Sequence, residues 1–281
     1  MPTSATARLR TLAQGLADAL PENVVEVVLT GSVSRGVADE LSDVEMLVVT
    51  VETLSLEACF ELAGGLGLTG LDTWGPRTGP ARRVSGYGDG TPVELIWWPR
   101  EHAEARIEAT LAGGDQSTAD ALVHGVALRT RGLLARWQDR LRDYPPALAA
   151  ARIEDAALPW GGFAPAGILT LTRPQDSLAR TEWLVDAARR VLTIVYALNR
   201  VWQPTTKRLA ARVESLPTKP DRLADRIAEA LDDPDPHRAV LTMAKLQLDT
   251  IELAPPGPNS TEPASGSQPP PHPRGQTPRR N

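Results

Sequence analysis

The stretch that decides the fold is Val27-Val28-Leu29-Thr30-Gly31-Ser32-Val33-Ser34-Arg35-Gly36-Val37-Ala38-Asp39-Glu40-Leu41-Ser42-Asp43-Val44-Glu45-Met46-Leu47-Val48-Val49. Val27 to Thr30 is a β-branched and aliphatic run ending at glycine, the signature of a strand that meets a turn. Gly31-Ser32 offers backbone N–H groups and a hydroxyl, and the missing side chain lets a phosphate approach the backbone. A short polar helix or loop follows, then a second strand carrying Asp43 and Glu45. Their spacing of two sets both carboxylates on one face, with Val44, Met46 and Val48 on the other.

Two acids on one face of an apolar strand repel, and burial disfavours their ionised forms. A divalent cation removes that conflict. Mg²⁺ in particular takes a few carboxylates together with substrate phosphates. The local physics therefore asks for a metal and a phosphate, with the glycine-serine turn just upstream to hold the latter. The bland alternative is a pair of solvated acids on an edge strand.

Composition narrows the classes. The chain has 281 residues, enough for one large or two ordinary domains. A net charge of −5 leaves no global basic field for nucleic acid, so any polyanion contact must be local. The single cysteine, Cys59, excludes an intramolecular disulfide and fits a reducing cytosol. No run approaches the roughly 20 apolar residues of a membrane helix, and the N-terminus lacks a signal-peptide core. A cytoplasmic protein is expected.

Along the chain, Ser4 to Leu20 reads as a helix with Leu9, Leu12, Leu16 and Leu20 on one face, ended by Pro21. Val24 to Thr30 is the first strand. Leu54 to Leu68 reads as a helix interrupted by Gly64-Gly65. Trp74 to Pro80 is a loop. Arg82 to Tyr87 and Thr91 to Trp98 read as strands joined by the hairpin signal Gly88-Asp89-Gly90. Glu94 on the second of these is either a solvent-face residue or a third carboxylate facing the pair. Beyond Arg100 only helices are expected: Glu101 to Leu111, Gln116 to Leu141, Ala147 to Leu158, Asp176 to Trp202, Thr206 to Leu216, Asp221 to Leu231 and Pro236 to Ile251. Trp160 to Pro174 reads as a glycine and proline loop. Asp176 to Trp202 carries the strongest apolar stripe, with Leu184, Ala188, Val191, Val195 and Leu198 at helical spacing and Val185, Leu192 and Ile194 widening it. It is expected at the centre of a bundle. Gly113-Gly114 marks a boundary, giving units 1–112 and 113–253. The segment 254–281 holds nine prolines and almost no apolar side chain, so it is expected to be disordered.

The order Gly31-Ser32-x-Ser34-x-Gly36, then Asp39, Ser42, Asp43-x-Glu45 on a strand, then a lone Glu94 on a later strand, resembles the polymerase-beta-like nucleotidyltransferase superfamily. Within it, the pattern is similar to bacterial aminoglycoside adenylyltransferases and small-molecule nucleotidyltransferases with a helical C-terminal half. The resemblance covers about residues 20–100. A weaker one extends over Asn199 to Lys207. One departure is Glu45, where many members carry Asp. The resemblance implies an α+β fold: a small mixed sheet with flanking helices, followed by an all-helical bundle that closes over substrate and nucleotide. It implies Mg²⁺-dependent transfer of a nucleoside monophosphate, with AMP from ATP expected, to a hydroxyl of a small acceptor such as an aminoglycoside-like antibiotic. Two Mg²⁺ ions would be held by Asp43 and Glu45, with Glu94 as third ligand or general base. Gly31 and Ser32 would hold the phosphates, Ser42 would support the loop, and Lys207 would reach the triphosphate. The implied protein is a monomer or homodimer.

Several residues carry weaker signals. Arg35, beside the turn, is expected to face solvent. Trp74, Trp97, Trp98 and Trp160 could stack on a base, though core packing is the usual role of tryptophan. Glu154, Asp155, Asp176 and Glu182 would suit a cationic acceptor if they lined the cleft. The four histidines form no zinc spacing. Two other functions fit the same motifs: nucleotidyl transfer to a protein, as in toxin–antitoxin systems, and a nucleotide-binding regulator without turnover.

Overall fold

The computed structural model describes residues 3–74, 78–157 and 169–254. Helix α1 (Ser4–Ala19) starts at Thr3, whose hydroxyl accepts from the Thr6 amide, and buries Leu9, Ala13, Leu16 and Ala17. Strand β1 (Val24–Leu29) follows, then a single helical turn, α2 (Gly31–Ser34), and strand β2 (Val44–Thr50). Helix α3 (Leu56–Gly65) ends at the glycine pair, and leads into strand β3 (Thr69–Asp72). Strands β4 (Arg82–Gly88) and β5 (Thr91–Pro99) form the hairpin expected around Asp89 and Gly90. Both turn residues take positive φ, +49° and +73°, as a tight two-residue turn needs.

After β5 come α4 (Arg100–Leu111), α5 (Ser117–Val123), β6 (Val126–Arg129), α6 (Leu133–Leu141) and α7 (Pro146–Ala157). The helix expected over Gln116–Leu141 is therefore two helices with a strand between them. The sheet has the order β3-β4-β5-β2-β1-β6. Only β2 and β5 run parallel; the other neighbours are antiparallel. Its sixth strand lies past Gly113-Gly114, so the sheet draws on residues from both sides of that glycine pair. The result is a mixed α+β architecture.

The sheet is covered on both faces. Val44, Met46, Val48, Val93, Leu95 and Trp97 pack with α1 and α3. Leu47 and Val49 pack on the opposite face with Ile107 of α4, Leu122 of α5 and Trp137 of α6. The alternation of β2 is as its period-two pattern requires, and Asp43 and Glu45 fall on the second face.

The helical C-terminal region is built around α8 (Ser177–Leu198), with α9 (Leu209–Glu214), α10 (Leu223–Asp232) and α11 (Pro236–Glu252) against it. Leu184, Ala188, Val191, Leu192 and Val195 of α8 are buried with Val240, Met243 and Leu246 of α11. Ile194 is buried as well, but Val185 is 43% exposed, so the buried stripe is narrower than the sequence pattern. Helix α8 stops four residues short of Trp202. Arg200 turns left-handed at φ +51°, and the Val201 amide donates to the Tyr196 carbonyl. This is the bonding pattern that closes many helices. Likewise Arg208, at φ +56°, delays α9 to Leu209, so residues 201–208 cross between helices as extended and turn backbone. No described helix is long and apolar enough to cross a membrane. Residue 160 and the segment 255–281 lie outside the described residues.

Candidate active site

Strand β1 delivers the chain to Gly31, and β2 brings Asp43 and Glu45 back beside it. The Thr30 amide donates to the Glu45 carbonyl at 2.9 Å, which fixes the turn against the second strand. Gly31 takes φ +70°, a conformation that favours glycine. A Cβ there would stand 1.9 Å from Glu45 Oε2. The absent side chain is therefore the space the Glu45 carboxylate occupies. The Gly31 carbonyl is held by the Ser34 hydroxyl at 3.0 Å and by Arg35 Nη1 at 2.9 Å. Among the described residues the Ser32 hydroxyl has no hydrogen-bond partner.

Lys207 reaches this point from the extended segment after α8. Its Nζ lies 2.7 Å from Glu45 Oε1 and 3.3 Å from Asp43 Oδ2. One ammonium thus occupies the point where both carboxylates converge. Burial acts to lower the Lys207 pKa, but the Glu45 hydrogen bond and the charges of Glu45 and Asp43 outweigh it and hold it above the ordinary value. The side chain remains 64% exposed, so the pair contributes little to stability.

Glu94 is the register partner of Glu45 on the adjacent parallel strand. Its Oε1 accepts from Arg83 Nη1 at 3.2 Å, and the Arg83 guanidinium lies 4.2 Å over the Trp74 ring. Burial pushes the Glu94 carboxyl pKa up; Arg83 opposes this, and Glu45 and Asp43 add to it. Among the described residues no three His, Cys, Asp or Glu side chains gather to hold one ion. The convergent pair is Asp43 and Glu45, with Glu94 adjacent and turned to Arg83. Oxygen-only donors around one positive charge nevertheless suit a hard divalent ion, which Asp43 and Glu45 would hold.

Ser42 closes the preceding turn. Its hydroxyl donates to Asp39 Oδ1 at 2.8 Å and accepts from the Asp39 amide at 2.9 Å. Asp39 in turn receives Arg208 at 2.5 Å, beside Lys207. The Ser42 hydrogen bond, helped by Arg208, holds the Asp39 carboxyl below its usual pKa.

Arg35 does not face solvent. Its side chain is 16% exposed and meets the carboxylate of Asp120 at 2.6 Å. Arg212 of α9 meets the same carboxylate at 3.0 Å. Asp120 therefore ties the turn to the helical region, a role unread in the sequence because its stretch looked like part of one long helix. Trp97 is core, 1% exposed, and Trp98 packs edge-on against His102. Glu154, Asp155 and Glu182 lie on exposed helix faces and do not join the site.

Residues 9–70 match the family profile described as the nucleotidyltransferase domain. The matched segment takes in the second half of α1, the Gly31 turn, Asp43, Glu45 and α3, the part of the chain that carries the motif, and it supports a nucleotidyltransferase. No curated protein sequence matches the chain. Among solved structures it is similar to a nucleotidyltransferase-like protein from Exiguobacterium sibiricum, at 10% identity and a TM-score of 0.37, over 88% of this chain and 76% of that one. It is also similar to the Cid1 poly(U) polymerase, at 14% identity and a TM-score of 0.26 over 54% of this chain. A cytoplasmic RNA terminal U-transferase aligns at 16% identity with a TM-score of 0.23. The matched part spans about half the length of these two, 51% and 46%.

Proposed function

We propose that the protein transfers a nucleoside monophosphate, AMP from ATP, to a hydroxyl of a small-molecule acceptor in a Mg²⁺-dependent reaction. The observation that carries this reading is the convergence of Asp43 and Glu45 on one cationic point against the Gly31 turn, inside the segment that matches the nucleotidyltransferase domain. Asp43 and Glu45 would hold the metal, which when bound neutralises phosphate charge and polarises the phosphorus under attack.

The chain's own residues account for the remainder. Ser32 and the Gly31 backbone offer donors to the terminal phosphates. Lys207, once free of the carboxylates, would supply a mobile point charge for the same phosphates. Glu94 takes the proton of the acceptor hydroxyl as its oxygen bonds to the α-phosphorus, while the bond to the β-phosphate oxygen breaks and pyrophosphate leaves. Its raised pKa suits a base, and such help is typically worth about 10²–10⁴-fold. Ser42 and Asp39 shape the loop and do not need to touch substrate.

The test is pyrophosphate release from ATP, GTP, CTP and UTP with Mg²⁺ across a panel of aminoglycosides and other small polyols, with Asp43→Ala as control. Acceptor-dependent release from ATP, lost in the variant, is the expected result. Nucleotide binding without release on any acceptor overturns the small-molecule reading and favours a protein acceptor or a regulator.

A further inference from the structure

Behind the Gly31 turn, between the sheet and the helical region, lies a cavity of about 390 Å³. That volume is within the range of small-molecule sites. Two arginines, an aspartate and a histidine are among the polar groups that line it. Arg35 and Arg212 are two fixed cations, and Asp120 between them is one anion. Burial, with the two arginines, holds the His124 pKa below its ordinary value despite Asp120, which disfavours a further cation there. The cavity therefore carries one excess positive charge. Among the described residues Arg212 uses only Nη1, on Asp120, which leaves Nε and Nη2 as donors.

A second observation is independent of that charge. Tyr196 of α8 lines the cavity and is 2% exposed, yet its buried hydroxyl has no hydrogen-bond partner among the described residues. A buried hydroxyl left unpaired is destabilising. Native structures seldom leave such a group without a ligand, water or other partner. The apolar part of the lining is formed by Val201, Trp202, Pro204 and Leu216.

We propose that this cavity is a binding site for a small organic anion, one carboxylate or phosphate group on an apolar body. The anion would take the free donors of Arg212 and the Tyr196 hydroxyl, and its body would lie on the Trp202 and Pro204 wall. Pro204 and Arg212 flank Lys207 in the chain, so an occupant bears on the segment that reaches Asp43 and Glu45. The site goes beyond the proposed transfer reaction and stands without it.

The experiment is calorimetric and ligand-detected NMR titration of the full chain, free of nucleotide and metal. Benzoate and phenyl phosphate are the probes; benzyl alcohol and inorganic phosphate are the controls that lack one of the two features. Both probes are expected to bind at least tenfold more tightly than either control, and their order separates a carboxylate from a phosphate ligand. Tyr196→Phe and Arg212→Gln should each weaken binding at least tenfold. Asp43→Asn should leave it unchanged, which separates this site from the metal and nucleotide reading. Tyr196→Phe should melt at or above the wild-type temperature, because it removes a hydroxyl with no partner. The proposal is overturned if benzyl alcohol binds as tightly as benzoate, if neither probe binds, or if Tyr196→Phe binds normally.

Discussion

At the residue scale, Gly31 shows how one missing methyl defines a site. Alanine there would force the Glu45 carboxylate aside and would also have to adopt φ +70°. A displacement of about 1 Å at a reacting group costs on the order of 10²-fold in rate. Gly31→Ala should therefore lose about that factor in kcat while the circular dichroism spectrum is retained; a variant with normal turnover would separate Glu45 from the chemistry. Lys207 makes a different prediction, because in the proposed reaction it would compete with a metal when free and assist the phosphates when substrate is bound. Lys207→Ala should bind Mn²⁺ more tightly without nucleotide, by paramagnetic resonance titration, yet lose about tenfold in kcat/KM for the nucleotide, or about 1.4 kcal/mol. In the proposed reaction Glu94 would set the pH dependence. Its carboxyl pKa is raised, chiefly by burial, so the acid limb of kcat/KM should lie above the ordinary glutamate value of about 4.3 and vanish in Glu94→Gln. The linkage sign follows from the same shift. The folded state holds that proton more tightly, so the contribution to stability is full below the unfolded value. It is lost as pH rises through the raised one, and the wild-type melting temperature should fall relative to Glu94→Gln across that interval. The placement of Asp43 and Glu45 together at the Gly31 turn was legible, because acids at spacing two on a strand share one face. Asp120 and Arg83 were not, since pairing between distant elements leaves no local pattern.

At the element scale, Glu26 explains why α6 exists where it does. It is fully buried in β1, among aliphatic neighbours. Its two oxygens accept from the amides of Arg131, Leu133 and Leu134 and from the Thr130 hydroxyl, at 2.7 to 3.2 Å. Gly132 at the helix start has no side chain to cap those amides, so the carboxylate from a neighbouring strand does it, with the favourable sign for a helix N-terminus. Glu26→Ala leaves several buried donors unpaired and should cost about 3 kcal/mol or more in urea unfolding, whereas a loss under 1 kcal/mol would mean that water replaces the cap. The same region is where the sequence misled. Leu122, Val126, Leu133 and Leu134 fall at intervals a helix can satisfy, so β6 was hidden inside a longer helical pattern. The discordant signal was present in Gly125 and Gly132. A Cβ on Gly125 would stand 2.7 Å from Val28, and Gly132 takes φ +83°. A four-residue strand earns its place by pairing with β1, and pairing is not written in its own residues. The capped helix α1 and the β4–β5 hairpin, by contrast, are specified by local chemistry and were readable as such.

At the scale of the whole molecule, the question is what keeps Lys207 over the carboxylates when it belongs to the helical region. Trp202 is the anchor. It is 5% exposed, its indole N–H donates to the Leu141 carbonyl at 2.8 Å, and its ring leans on Tyr144 at 4.5 Å. It belongs to the core that also holds Val28, Leu47 and Trp137, so a residue five positions before Lys207 is embedded in the packing of the sheet. The bundle around α8 has its own separate core. Removing the indole should therefore loosen the attachment of the two regions more than either core. Trp202→Ala is expected to cost about 3–5 kcal/mol at the junction, as large aromatic truncations do. Calorimetry is then expected to resolve two unfolding steps for the variant and a single one for the wild type. KM for the nucleotide should rise, because Lys207 and Arg208 would no longer be held opposite Asp43, Glu45 and Asp39. Trp202→Phe, which keeps the ring and loses the hydrogen bond, should retain the single transition. If Trp202→Ala unfolds in one step with an unchanged KM, then the Asp120 ion pairs with Arg35 and Arg212 hold the two regions together without it.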